Sequence, residues 1–324
     1  MRGDAESAVH AGPVALRERL RTGPALLLDG ALGTELERRG AVSTLPLWST
    51  HALLASPELV EAVHADYVAA GAEVLTANTF RTQRRVLGRA GIGGRARELT
   101  ALAVGLARRA AAARPGRVLV VGSAPPLEDC YEPGRVPGAA ALAAEHAEHA
   151  EHLAAAGVDA ILVETMNTVR EAVAAARAAR AVGLPCLVSF VCEAPPQPAR
   201  REPQASGAFT PAAAPALLGG EPLADALAAA ASEGALAVLV NCVPAASADA
   251  CLPALRAAGP PWGVYPNLGA PGIAGPWVDE PCAPAEFAAR AAAWLADGAR
   301  ITGGCCGTGP AHIEAIARRL AAGT

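Results

Sequence analysis

Eight short apolar runs, each followed by an alanine-rich stretch of helical character, set the strongest limit on how this chain can fold. The runs are ALLLD (25–29), AEVLTA (72–77), RVLVVGS (117–123), DAILVE (159–164), PCLVSFV (185–191), LAVLVN (236–241), WGVYP (262–266) and ARITG (299–303). They lack the clean apolar–polar alternation of a half-exposed strand and suit a parallel sheet buried on both faces. Helical patterns lie between them at 56–70, 95–113, 139–156, 168–181, 222–232, 247–257, 283–296 and 311–321. The first opens on Ser56-Pro57-Glu58, which reads as an N-cap, a proline at the first helical position and an early acid. Eight βα units in roughly 300 residues predict an α/β fold, a single-domain (β/α)8 TIM barrel. Residues 1–20 then form an N-terminal extension or helix, and 21–324 the barrel. A doubly wound sheet is the alternative; it calls for a glycine-rich first turn and a reversal of strand order.

Composition removes several function classes. The net charge is −4 and all 27 basic residues are arginine, scattered along the chain. No basic stripe interleaves with aromatics, so no nucleic-acid partner is expected. Mean hydropathy is +0.28, largely from alanine. No uninterrupted apolar run approaches the ~18 residues of a membrane span. The first residues carry charges where a secretory signal needs its apolar core. A soluble, cytoplasmic protein is expected.

There are eight cysteines, and with no signal peptide, free thiols, metal ligation or catalysis are favoured over disulfides. Cys186 and Cys251 read as core, and Cys130, Cys192 and Cys282 as loop residues, with Cys192 near enough to a strand end to be an accidental ligand. In a barrel of this kind the reacting groups lie at the carboxyl ends of the strands. There the chain places Asp29 after the first run, ANTF (77–80) after the second, Ser123 after the third and Glu164 after the fourth. Ser189 follows in the fifth, Asn241 and Cys242 in the sixth, Tyr265 and Asn267 in the seventh, and GGCCGT (303–308) after the eighth. Cys242 therefore faces Cys305 and Cys306 across one intervening strand. Three converging thiolates suit zinc, with a fourth position left for water or substrate, and the flanking glycines let adjacent thiols bend toward one ion. A glycine-rich loop after the eighth strand of a barrel often cradles a phosphate, which is the lesser alternative, and a vicinal thiol pair can serve as a redox switch. Segment 193–207, EAPPQPARREPQASG, reads as a mobile loop on the active face or a plain surface insertion.

The pieces DGALGTELERRG (29–40), LWS (47–49), ANTF, VETM (163–166), NCVP (241–244) and GGCCGT occur in order across nearly the whole chain. In these the sequence resembles the homocysteine S-methyltransferases. The resemblance implies a zinc-dependent barrel that transfers a methyl group to the sulfur of L-homocysteine, giving methionine. It implies Cys242, Cys305 and Cys306 as zinc ligands. It implies Asp29 and Glu164 as acids for the amino-acid part of homocysteine, and Trp48 as an aromatic near the transferred methyl. Asn241 and Asn267 are further polar contacts at low weight. Zinc would generate the thiolate nucleophile, because a free thiol is mostly protonated near neutral pH.

The methyl donor is less defined. LWS resembles the S-methylmethionine group and ANTF the betaine and cobalamin groups. The extra domains of the cobalamin enzymes and the longer arm of the betaine enzymes are not found in these 324 residues. A sulfonium donor, S-methylmethionine or S-adenosylmethionine, is therefore expected. Betaine, another thiol or selenol acceptor, and a catalytically silent zinc-binding relative are the alternatives. A Schiff-base aldolase is excluded by the absence of lysine. Oligomeric state is not readable.

Overall fold

A computed structural model describes residues 13–116, 118–193, 214–271, 277–278 and 282–322. The loop expectation for 193–207 falls, beyond its first residue, outside them. Eight parallel strands form the barrel: β1 (Leu26–Leu27), β2 (Val74–Ala77), β3 (Leu119–Ala124), β4 (Ala160–Met166), β5 (Cys186–Phe190), β6 (Ala237–Pro244), β7 (Trp262–Asn267) and β8 (Ile301–Thr302). Neighbours pair in chain order from β2 to β8, and β8 pairs with β1. A parallel bridge from Leu28 to Val74 closes the ring between β1 and β2. Pairing in this order is that of a (β/α)8 barrel; a doubly wound sheet would leave two open edges.

The missing alternation has a direct cause. Along each strand, one set of side chains enters the barrel and the next faces the helices, and both environments are dry. Leu26, Leu28, Val74, Leu119, Val121, Leu162, Leu187, Leu239 and Ile301 fill the interior. Leu27, Leu75, Val120, Ile161, Val163, Val188, Val238 and Val264 pack under the helices. The helices between the strands match the expected ones to within a residue or two, and Ala139–Ala156 matches in full. Pro57 begins its helix after Ser56, but the Ser56 hydroxyl makes no capping bond. Three short helices, Gly33–Arg38, Thr50–Ala55 and Arg84–Arg89, sit in the loops after β1 and β2 and were not expected.

The first helix, Pro13–Thr22, runs through the boundary expected at 20–21. Its Leu16 and Leu20 are buried in the interior cluster, and Arg300 donates to the Leu20 carbonyl at 3.1 Å. It thus stoppers the amino-terminal end of the barrel and leaves the opposite mouth to carry the site. No helix among the described residues is long and apolar enough to cross a membrane.

Candidate active site

Continuing the two-residue period toward the carboxyl ends turns the apolar interior into a polar layer. Thr76, Ser123, Glu164, Ser189, Asn241 and Tyr265 follow the inward-facing Val74, Val121, Leu162, Leu187, Leu239 and Gly263. All but Thr76, which bonds to Asp29, bond within the layer: Ser189 Oγ donates to Asn241 Oδ1 at 2.7 Å, and Tyr265 OH donates to Glu164 at 3.1 Å. The Ser123 hydroxyl donates to the other Glu164 oxygen. Above this layer is a cavity of ≈ 280 Å³ at the barrel mouth, whose lining includes Asp29, Trp48, Glu164 and all three of Cys242, Cys305 and Cys306.

Two strand irregularities aim the groups. The β6–β7 register shifts between Asn241 and Pro244, and the β4–β5 register between Val163 and Met166. Inside these bulges sit Cys242 with φ 56° and Thr165 with φ 59°. With Trp48 at φ 44°, they are the non-glycine residues with positive φ among the described residues, and all three line the cavity. Such backbone is costly and persists where surrounding contacts over-determine it.

The Cys305–Cys306 loop is held by its own backbone. Cys305 N–H donates to Pro266 at 2.9 Å, Leu268 N–H to Cys306 at 2.8 Å and Gly304 N–H to Asp29 at 3.1 Å. Gly307 N–H donates to the Thr34 hydroxyl at 3.0 Å, and Gly309 N–H to His312 Nδ1 at 3.1 Å. These amides are spent internally, so the loop is no phosphate cradle. The sulfurs of Cys242, Cys305 and Cys306 lie within 4.8 Å of one another. Tetrahedral coordination at a Zn–S distance of 2.3 Å needs sulfurs about 3.8 Å apart, so the donor set fits a soft metal ion such as zinc. Hydrogen bonds from Cys305 and Cys306 pull the Cys242 thiol down to about 5, while the same bonding pushes Cys306 up. Cys130, Cys186, Cys192, Cys242, Cys251, Cys305 and Cys306 form no disulfide among the described residues.

Asn241, fully buried, supports this centre. Its Oδ1 also accepts from Thr165 N–H at 3.1 Å, and its Nδ2 donates to Thr165 Oγ1 at 2.9 Å and lies 3.9 Å from Cys305 Sγ. Neither Asn241 nor Asn267 lines the cavity. Asn241 is committed to protein partners, and Asn267 Oδ1 is buried with no hydrogen-bond partner among the described residues.

Asp29 accepts from Thr76 N–H at 2.8 Å and the Thr76 hydroxyl at 3.1 Å. Burial nonetheless pushes its carboxyl up to about 8, and the negative Glu164 adds to this. Burial, then the Cys305 sulfur, raises Glu164 to about 7. With no basic residue among the described residues paired to either, this side of the cavity is suited to a cation. Trp48 donates through Nε1 to Glu37 at 3.3 Å and meets Phe80 edge-to-face at 5.9 Å. A Cβ on Gly33 would overlap the Trp48 ring, so the glycine in DGALGTELERRG makes room for it.

Tyr131, Cys130, Phe80 and Arg81 also line the cavity and were not among the expected site residues. Tyr131 OH lies 3.1 Å from Cys242 Sγ. Of the loop cysteines, Cys130 reaches the cavity, whereas Cys192 interacts with Cys251 in the core. Only the position of LEDCY (127–131) just after β3 pointed to the first two.

A (β/α)8 barrel whose mouth gathers three thiols and two buried acids around one cavity has the arrangement of a barrel enzyme with a candidate metal centre. Residues 26–320 match the family Homocysteine S-methyltransferase. The chain is 33% identical over 321 residues to the homocysteine S-methyltransferase of Escherichia coli K12, covering 94% of this chain and 98% of that one. It is 30% identical to the homocysteine S-methyltransferase YbgG of Bacillus subtilis 168, covering 92% and 95%. It also superposes on the crystal structure of the metallated form of the homocysteine methyltransferase MmuM from Escherichia coli. That match has a TM-score of 0.76 and 30% identity over 94% of this chain and 99% of the other. The chain belongs to the homocysteine S-methyltransferase family.

Proposed function

We propose that this protein is a zinc-dependent methyltransferase that moves a methyl group from a sulfonium donor, S-methylmethionine or S-adenosylmethionine, to the sulfur of L-homocysteine, giving methionine. The observation that carries the reading is the convergence of Cys242, Cys305 and Cys306 sulfurs within 4.8 Å at the wall of an otherwise acidic and aromatic cavity. Those three residues would hold the ion, which supplies an open fourth position and keeps a bound substrate thiol deprotonated near neutral pH.

The rest is done by the chain's own groups. Asp29 and Glu164 bind the ammonium of homocysteine, and its charge replaces the protons that burial holds on them. Thr76, Ser123 and Tyr265 fix both carboxylates before substrate arrives, so orientation costs little at the moment of reaction. Trp48 and Phe80 form an aromatic wall suited to a sulfonium cation. In the transfer, the homocysteine sulfur forms the new S–CH3 bond. The breaking C–S bond leaves its electron pair on the donor sulfur, which departs as a neutral thioether and needs no proton.

The test is metal analysis of the purified protein together with methionine formation from homocysteine, comparing S-methylmethionine, S-adenosylmethionine and betaine. One zinc per chain and turnover with a sulfonium donor are expected. Turnover with betaine alone would replace the donor assignment, and no methionine from any donor would overturn the reading.

A further inference from the structure

Arg81 stands directly after ANTF, on the loop leaving β2, and lines the cavity. Its residue is only 8% exposed. The three arginines that follow it are all ion-paired: Arg84 with Glu148, Arg85 with Glu128 and Glu145, and Arg89 with Glu128. Arg81 has no ion pair or hydrogen bond among the described residues, and its Nε is buried without an acceptor. Its guanidinium carbon lies 5.5 Å from the centroid of the Phe80 ring, and a ring face does not satisfy its N–H donors.

A buried unpaired guanidinium is costly, and arginine cannot relieve that cost by losing its proton. The cavity carboxylates are engaged elsewhere: Asp29 by Thr76, Glu164 by Ser123 and Tyr265, Glu37 by Ser43 and Trp48, and Asp129 by the Tyr131 N–H at 2.9 Å. The missing partner is therefore an anion brought by a ligand. Arg81, Phe80 and Trp48 are contiguous through the cation–π and edge-to-face contacts. One wall thus offers aromatic faces for a cation beside a fork of donors for a carboxylate. A donor bringing only positive charge would set two like charges against each other; a zwitterion satisfies both parts of the wall.

We propose that Arg81 is the carboxylate-binding residue for the methyl donor, and that the enzyme selects zwitterionic donors whose carboxylate pairs with this guanidinium. The inference rests on the sulfonium-donor reading above.

The test uses zinc-loaded wild type, Arg81→Met and Arg81→Lys. S-methylmethionine is compared with its carboxamide as donor, and homocysteine with its carboxamide as acceptor. Wild type is expected to favour the acid donor over the amide by about 10–100-fold, the scale of a charge-assisted bidentate pair, mainly in KM. Arg81→Met should lose that preference and keep the acceptor preference, and Arg81→Lys should retain part of it. Calorimetric binding of the two donors reads the same preference without turnover. If wild type methylates homocysteine equally well from acid and amide, the inference falls and the reaction stands. If no methionine forms but the acid donor binds in an Arg81-dependent way, the reaction falls and the inference stands. If Arg81→Met instead loses the acceptor's acid-over-amide preference, or if wild type binds neither donor, the assignment is overturned. Should Arg81→Met fail to fold, the wild-type acid-to-amide ratio and Arg81→Lys still decide the outcome.

Discussion

The side-chain carbonyl of Asn241 accepts from the Ser189 hydroxyl at 2.7 Å while its amide reaches across to Thr165 at 2.9 Å. One residue therefore ties β5, β6 and the bulge of β4 together directly beneath Cys305. Asn241→Leu keeps the volume and removes every bond, leaving Thr165 N–H and Ser189 Oγ buried without this partner. Urea unfolding should report a loss of about 1–3 kcal/mol. A chelator competition should show zinc affinity falling about 10-fold or more, as for other groups that orient metal ligands.

Cys305→Ser should reduce metal content from about one zinc per chain to near zero and abolish methyl transfer. The loop around it is held by backbone bonds to Pro266, Leu268 and Asp29, so far-UV circular dichroism should be unchanged. Retained activity without zinc would sink the proposed role of the thiols.

Gly307 has φ 84°, and a Cβ there would overlap the carbonyl of Leu268. Gly307→Ala must both strain the backbone and push apart the contact that seats Cys306. A stability loss above about 2 kcal/mol is expected. Metal content should fall with it, even though no ligand has been touched.

Asp29 gives a pH signature. The folded protein holds its proton up to about 8, whereas the unfolded chain releases it near 3.8. Between those values the native state binds the extra proton, so this contribution is greatest at or below pH ~4 and is lost as pH rises toward ~8. The slope is at most about 1.4 kcal/mol per pH unit. Asp29→Asn should flatten the decline measured by urea unfolding across that range. It should also raise the KM for homocysteine about 10-fold or more by removing an ammonium partner.

Much of this was legible in the sequence, for definable reasons. The eight strands announce themselves because both faces are dry, so each reads as a continuous apolar run. The cysteines stand out because adjacent thiols between glycines have few other uses. The short helices after β1 and β2 are hidden because six residues are too few to show a helical period. Asn241 was legible as a strand-end polar residue but not as a brace, since its partners are 52 and 76 residues away. Arg81 was hidden in plain composition: one arginine among 27 looks like any other until its neighbours prove to be paired and it does not.

The closing seam of the barrel, where β8 meets β1, also fixes when the ligand set comes into being. During synthesis Cys242, the first made of the three clustered thiols, emerges 63 residues ahead of Cys305. Asp29, among the first groups made, waits for Gly304 to arrive before its carbonyl is bonded. A chain broken before the last strand therefore has an unclosed ring and, of the three clustered thiols, Cys242 alone. The three-thiol cluster can therefore form only in a chain made past Cys306.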